Sequence, residues 1–245
     1  MSLLSSDLTN LIVNSELNSV VKSKPVSTLG PPILDVKELE LPEALFAHPV
    51  SSISLLEGVA LFELIGVSWM MALTYQNWSH ETHEHAYDEV RHTKLIQDCA
   101  KKCRWALSDE QIILETKLTK IFYIETEKYL QNLSRRVFKL TYHQKTCDSK
   151  FAISSYALLA FLIERRIMKI YPAMVKHSQN TTIQTVARSI IHDERQHLTL
   201  VTGKLPSGLD FADSSQDEII LMEKKLANEW MRSLIHGFSE ILKEA

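Results

Sequence analysis

The sequence predicts an all-α fold, a four-helix bundle with a helical crossover and additional helices at both ends. Three observations lead there. Glycine and proline are scarce, 6 and 7 in 245 residues, and β-branched runs are few, so little interrupts helix. Apolar residues recur at spacings of three and four beyond residue 48. Finally, D-E-x-x-H occurs twice, as Asp88-Glu89-Val90-Arg91-His92 and as Asp193-Glu194-Arg195-Gln196-His197. Each is preceded by a glutamate inside an apolar helical stretch, Glu63 in the first case and Glu164 in the second.

The elements follow in order. Residues 1–48 read as an N-terminal arm, in which Ser5-Ser6-Asp7 caps a short helix carrying Leu8, Ile12, Leu17 and Val20. Pro25, Gly30, Pro31 and Pro32 break it, and Pro42 and Pro49 punctuate the approach to the core. The arm reads as packing across the bundle or onto a partner subunit, so a homodimer is compatible with it. Residues 49–245 read as one helical domain. Its first helix runs from about Ser52 to Gln76, with Leu56, Ala60, Glu63, Val67 and Met70 on its inward line. After a turn at Asn77-Trp78-Ser79, the second runs from about His80 to Lys102, with His85, Glu89, His92, Ile96 and Cys99 inward. So short a turn makes the pair antiparallel. Glu63 lies 15 residues before Trp78, and Glu89 and His92 lie 11 and 14 after it, so the three meet at nearly one height.

Ser108-Asp109-Glu110-Gln111 reads as the cap of a third helix, reaching about Leu140. Roughly thirty residues span about 45 Å, enough to carry the chain from one end of a bundle to the other. A fourth helix, about Ser149 to Lys176, carries Ile153, Ala157, Ala160, Glu164, Ile167 and Tyr171 inward. A turn at Ser178 to Thr181 leads to the fifth, about Thr182 to Thr202, with Ile183, Val186, Ile190, Glu194, His197 and Val201 inward. Gly203 and Pro206 end it. A last helix, about Ser215 to Leu242, buries Ile220, Ala227, Trp230, Leu234 and Phe238.

The composition narrows the function. Net charge is −3 with no basic block, which argues against nucleic acid as a partner. Cys99, Cys103 and Cys147 form no C-x-x-C, and three is an odd count, as expected of reduced thiols in a cytoplasmic protein. No secretory signal is recognisable at the N-terminus. The longest apolar stretch, about Leu55 to Leu73, carries Glu57 and Glu63 and reads as a buried helix rather than a membrane span.

The paired motifs carry the chemistry. Residues i and i+3 of a helix share a face, so Glu89 with His92, and Glu194 with His197, project together. With Glu63 and Glu164 they make four carboxylates and two imidazoles, a set whose formal charge balances two divalent ions. A carboxylate amid Leu, Phe and Ile costs several kcal/mol unless paired or ligated. Oxygen-rich ligation without thiolate suits iron or manganese rather than structural zinc. Asp88 and Asp193 are placed to accept the outer ring N–H of the histidine on the opposite helix, fixing the metal-binding tautomer.

On Glu63, Glu89-x-x-His92, Glu164 and Glu194-x-x-His197, the chain resembles the ferritin-like di-iron carboxylate superfamily, over about residues 52 to 202. The resemblance implies two iron ions, Fe/Fe or Mn/Fe. It makes Glu89 and Glu194 the bridging or chelating carboxylates, and Glu63 and Glu164 the terminal, more mobile ones. The D-E-x-x-H form and helical crossover look more like acyl-carrier-protein desaturases, ribonucleotide reductase small subunits and N-oxygenases than storage ferritins. Ile96 stands where the reductase subunits carry a radical tyrosine, which sets this chain apart from them. His85, four residues before Glu89, resembles the third histidine of arylamine N-oxygenases, although there it belongs to the later motif, where this chain has Ile190. It is a possible additional ligand or a hydrogen-bonded core histidine.

The implied activity is that of an O2-dependent oxidoreductase, an oxidase or oxygenase acting on a small apolar or aromatic molecule. An electron-donor protein is a compatible partner. An iron-storing protein without organic substrate, and a helical interaction module with a vestigial site, are the alternatives. His80, Glu81, His83 and Glu84 read as a solvated helix start; Glu125, near the inward face of the crossover helix, reads as a surface or salt-bridged residue or as an addition to the site. Small residues at Ala60, Gly66, Ala157 and Ala160 either leave a cavity or permit close helix packing.

Overall fold

The computed structural model describes residues 38–74, 79–143, 148–205 and 214–244. All the described helices belong to one compact unit, Val36–Ala245. The arm helix expected over Ser5 to Val20, Asn77, Trp78, Cys147 and Pro206 lie outside the described residues.

The described residues are helical, without strands, as the glycine, proline and periodicity arguments require. Seven helices are seen among them: α1 Glu43–Ala47, α2 Pro49–Thr74, α3 His80–Arg104, α4 Asp109–His143, α5 Asp148–His177, α6 Thr181–Gly203 and α7 Ser214–Glu244. Their starts follow local side-chain chemistry. The Ser79 hydroxyl accepts the Thr82 N–H at 3.2 Å. Asn180 Oδ1 accepts from the N–H of Thr182 at 2.9 Å and of Ile183 at 3.4 Å. At Ser108 the bonding is reciprocal, because its hydroxyl accepts the Gln111 N–H while Gln111 Oε1 accepts the Ser108 N–H.

Two hairpins, α2 with α3 and α5 with α6, form the bundle. α2 also packs on α5 and α3 on α6, which closes a ring of four helices. The pairing of α3 with α6 is antiparallel: Asp88 and Glu89 meet His197, whereas His92 meets Asp193 and Glu194, so numbers rise on one helix as they fall on the other. α4 lies against both α2 and α5, and α7 against α4. α2 is thus enclosed by α1, α3, α4 and α5, which explains why it is apolar nearly all round. It is the one described helix long and apolar enough to cross a membrane, and 72% of that window is buried inside the bundle. At Gly58 a Cβ would lie 3.1 Å from Phe122 Cβ, so the glycine permits the close approach of α2 and α4.

Part of the segment read as an arm packs on the helical domain. Leu45 and Phe46 are buried, Leu39 and Leu41 pack on the core, and the Leu39 N–H donates to Asn228 Oδ1 at 2.8 Å. Pro42 and Pro49 interrupt the helical period here, so the segment reads as an arm although its apolar residues belong to the core.

A buried ion pair fastens α7 to α5. Arg166, 4% exposed, forks onto Glu223, with Nη2 donating at 2.8 and 2.9 Å and Nε at 2.9 Å. The Tyr129 hydroxyl donates to the same carboxylate at 2.7 Å, and Arg166 Nη1 to Glu38 at 2.7 Å. Removing one member of such a group strands the other. Glu223→Ala is expected to lower unfolding free energy by about 3–5 kcal/mol in urea titration. Replacing both Arg166 and Glu223 with apolar residues of similar volume is expected to cost less than that single change.

Candidate metal centre

The four inward lines of the ring bring the six residues of the paired motifs to one place. Glu63 comes from α2, Glu89 and His92 from α3, Glu164 from α5, and Glu194 and His197 from α6. All six are between 0% and 4% exposed. His85, from α3, joins them at 2%.

Two sets of donor atoms are close enough to share an ion. His85, Glu89, Glu164 and His197 form one, and Glu89, His92, Glu194 and His197 form the other, each with its atoms within 4.8 Å of one another. Glu63 belongs to neither set. Its Oε1 accepts a hydrogen bond from the Tyr171 hydroxyl.

The histidine rings have an outer and an inner edge. On the outer edge, His92 Nε2 lies 3.2 Å from Asp193 Oδ2, and His197 Nε2 lies 3.4 Å from Asp88 Oδ2. Each aspartate therefore serves the histidine of the opposite helix. On the inner edge, His92 Nδ1 is 2.9 Å from Glu194 Oε1 and His197 Nδ1 is 3.2 Å from Glu89 Oε1. These inner approaches are short, but their directions miss hydrogen-bond alignment, so both Nδ1 atoms stay unpartnered. Among the described residues, eight buried side-chain nitrogen and oxygen atoms lack a hydrogen-bond partner. Six of them are here: Glu63 Oε2, His92 Nδ1, Glu164 Oε2, both Glu194 oxygens and His197 Nδ1. Buried orphans cost about 1–3 kcal/mol each, so their concentration at one point marks a place built for something that accepts lone pairs. Carboxylate oxygens with two imidazole nitrogens are a donor set that could hold metal ions.

Electrostatics agree with that reading. Burial, then the charges of Glu89 and Glu194, push the Glu63 carboxyl well above the usual range. Burial and Glu194 do the same to Glu164. Against the upward push of burial, the adjacent Glu63 carboxyl and the His197 and His85 imidazoles hold Glu89 well below its usual value. Glu194 is also held low, against burial and the Glu89 charge, by Glu164 and the two histidines. Although burial opposes it, Glu194 and Glu89 raise His197 to about 10, and Glu194 raises His92. Without metal, the cluster thus offsets its negative charge with protons, which divalent ions would displace.

Three contributors escape the sequence reading. Arg91 Nη2 donates to Asp193 at 2.6 Å and to Asp88 at 3.0 Å, clamping both outer aspartates. It occupies a variable position of the motif, and only the crossing of α3 over α6 adds Asp193 to its local partner Asp88. Tyr171 is legible as an inward residue, but not as the donor to Glu63. Tyr156, two helical turns before Glu164 on the same stripe, places its hydroxyl 2.8 Å from His85 Nδ1. Of the remaining candidates, Glu125 pairs with Lys128 at 2.6 Å on α4, away from the cluster. Gly66 and Ala160 line a small chamber beside Glu89 and Glu164, while Ala60 and Ala157 are buried in the packing. Cys99 and Cys103 are buried free thiols.

No family model, curated protein or solved structure matches this chain.

Variants of the carboxylates test this arrangement in two ways. Asp88→Asn and Asp193→Asn, read by titration with ferrous or cobaltous ion, should keep the fold and weaken metal affinity about 10–100-fold. Unchanged affinity in both would reduce the aspartates to partners of Arg91. Glu63→Gln and Glu164→Gln should make the metal-free protein more stable in thermal or urea unfolding, since each removes a buried carboxyl without opening a cavity. Stabilisation by added metal should shrink in the same variants.

Proposed function

We propose that the chain is a non-haem di-iron, or manganese–iron, oxidase or oxygenase with a ferritin-like bundle, activating O2 to oxidise a small apolar or aromatic molecule. The observation that carries this reading is the group of six buried, unpartnered donor atoms between α2, α3, α5 and α6. A bound pair of iron ions would supply the redox chemistry. The chain's own part is to hold, orient and dry the site. Glu89, which belongs to both donor sets, and Glu194, which belongs to one, each stand near the histidine of the opposite helix and would hold the ions there. Asp88, Asp193 and Arg91 fix the imidazole edges. Tyr171 steadies Glu63 through one oxygen and leaves the other free to turn inward. Phe62, Ile96, Leu162 and Ile190, all fully buried, surround the ligand residues along their helices and keep bulk water out.

Open coordination distinguishes this reading from a structural metal. Six protein ligands around two ions leave positions for O2 and substrate. An interaction module with a vestigial site would carry the cost of the orphaned atoms without the gain of metal binding.

Metal analysis after anaerobic loading should find about two ions per chain, reduced in Glu89→Ala and Glu194→Ala. Aerobic oxidation of added ferrous iron should stop near two per chain. At most one ion, indifferent to those substitutions, would exclude the paired site. Uptake of hundreds of ions into a soluble, cage-sized particle would establish storage instead.

A further inference from the structure

Two cavities adjoin the centre, and His85 is the residue that lines both. On the inner side lies a chamber of about 20 Å³, walled by Phe62, Trp69, Met70 and Ile163, with Glu89 and Glu164 at its edge. That volume admits about one water-sized molecule and is too small for an organic ring. On the outer side lies an open groove of about 610 Å³ between α3 and α6, lined by residues that include His80, Glu84, Tyr87 and Leu200, and reaching His197. Volumes of this order are usual for small-molecule sites.

The His85 ring stands between them, held on both edges. Its Nδ1 is 2.8 Å from the Tyr156 hydroxyl, and its Nε2 is 3.1 Å from Oε1 of both Glu89 and Glu164. Those carboxylates belong with His85 to one of the two donor sets. An ion there competes for the oxygens that anchor Nε2, so a loaded site leaves Tyr156 as the ring's remaining tie unless His85 itself binds the ion. Room exists on the chamber side as well. A Cβ placed on Gly66 would meet nothing within 4 Å, although a mid-helix glycine costs about 0.5–1 kcal/mol relative to alanine.

We propose that His85 is a gate. Swung out into the groove, its ring joins groove and chamber into one pocket. That pocket takes an organic molecule with an aromatic or branched apolar end, which lies beside Glu89 and Glu164 while the polar end stays among the groove residues. The oxygenase reading supplies the role of this molecule as substrate; the gate itself rests on the two cavities and their shared wall.

Indole is a suitable probe, and the methionine methyl groups, labelled with carbon-13, report on it by NMR, with Met70 assigned from Met70→Leu. Measurements are made on metal-free protein and on protein loaded with redox-inert zinc. Indole should shift the Met70 methyl saturably. Tyr156→Phe, which removes the Nδ1 tie, should tighten apparent binding about three- to tenfold by raising the open fraction. Gly66→Leu, which adds a side chain among the residues that line the chamber, should abolish the shift. An unmoved Met70 in both wild type and Tyr156→Phe would overturn the gate, as would a full shift in Gly66→Leu or indole confined to the groove. A Met70 shift in metal-free protein that fails to bind two ions would keep the gate and remove the oxygenase reading, so the two fail separately.

Discussion

Four carboxylates in a dry interior are the constraint on which the rest of this structure depends. Glu63, Glu89, Glu164 and Glu194 are between 0% and 4% exposed, amid leucine, isoleucine and phenylalanine. Burial opposes their ionisation, each charge opposes the next, and the positive charge that faces them comes from imidazoles that burial itself disfavours. Such a group persists when protons or cations hold it together. The outer shell serves the same end. Asp88 and Asp193 engage the far edges of the histidines, and Arg91 neutralises the aspartates from outside.

The site combines repetition with asymmetry. Each hairpin contributes one glutamate and one D-E-x-x-H, and the contacts between α3 and α6 are reciprocal. The departures from that repeat give the two halves different work. His85 has Ile190 as its counterpart, Arg91 has Gln196, and Tyr171 has Met70. The additional hydrogen-bonding groups near the carboxylates, His85, Tyr156 and Tyr171, come from α3 and α5. Both His85 and Tyr156 line the inner chamber, and His85 also meets the groove. One side of the centre is therefore closed by aliphatic packing, while the other is closed by a hydrogen-bonded ring.

The outer helices explain how a polar centre stays dry. α4 covers α2 and α5, and α7 covers α4. Trp230 of α7 meets Phe62 edge-on, with ring centroids 5.5 Å apart, one residue from Glu63. The Arg166–Glu223–Tyr129 group holds α7 against α5 and gathers in Glu38 from the chain preceding α1. Rigidity around the ring matters because ligand geometry is set by helix positions, and a shift of one helix would separate the donor sets.

The sequence alone determined the long helices and the inward lines of the four that form the ring. Period and caps are local properties, and the ends of these helices follow from Ser79, Ser108 and Asn180 acting on their own neighbours. It determined as well that Glu63, Glu89, His92, Glu164, Glu194 and His197 reach one height, because short turns and a fixed rise per residue leave little freedom. The opposite-helix pairing of Asp88 with His197 and Asp193 with His92 was also legible, from motif spacing and antiparallel packing. What only the tertiary structure decided were interactions between residues far apart in the chain. Arg91 adds Asp193 to its local partner Asp88 only when α3 crosses α6. Tyr156 becomes the tie on His85 only when α5 faces α3 across the ring. The segment before α1 joins the core only because Arg166 and Asn228 wait for it there. Likewise, the wall between chamber and groove exists only in the assembled bundle, because neither cavity belongs to any single helix.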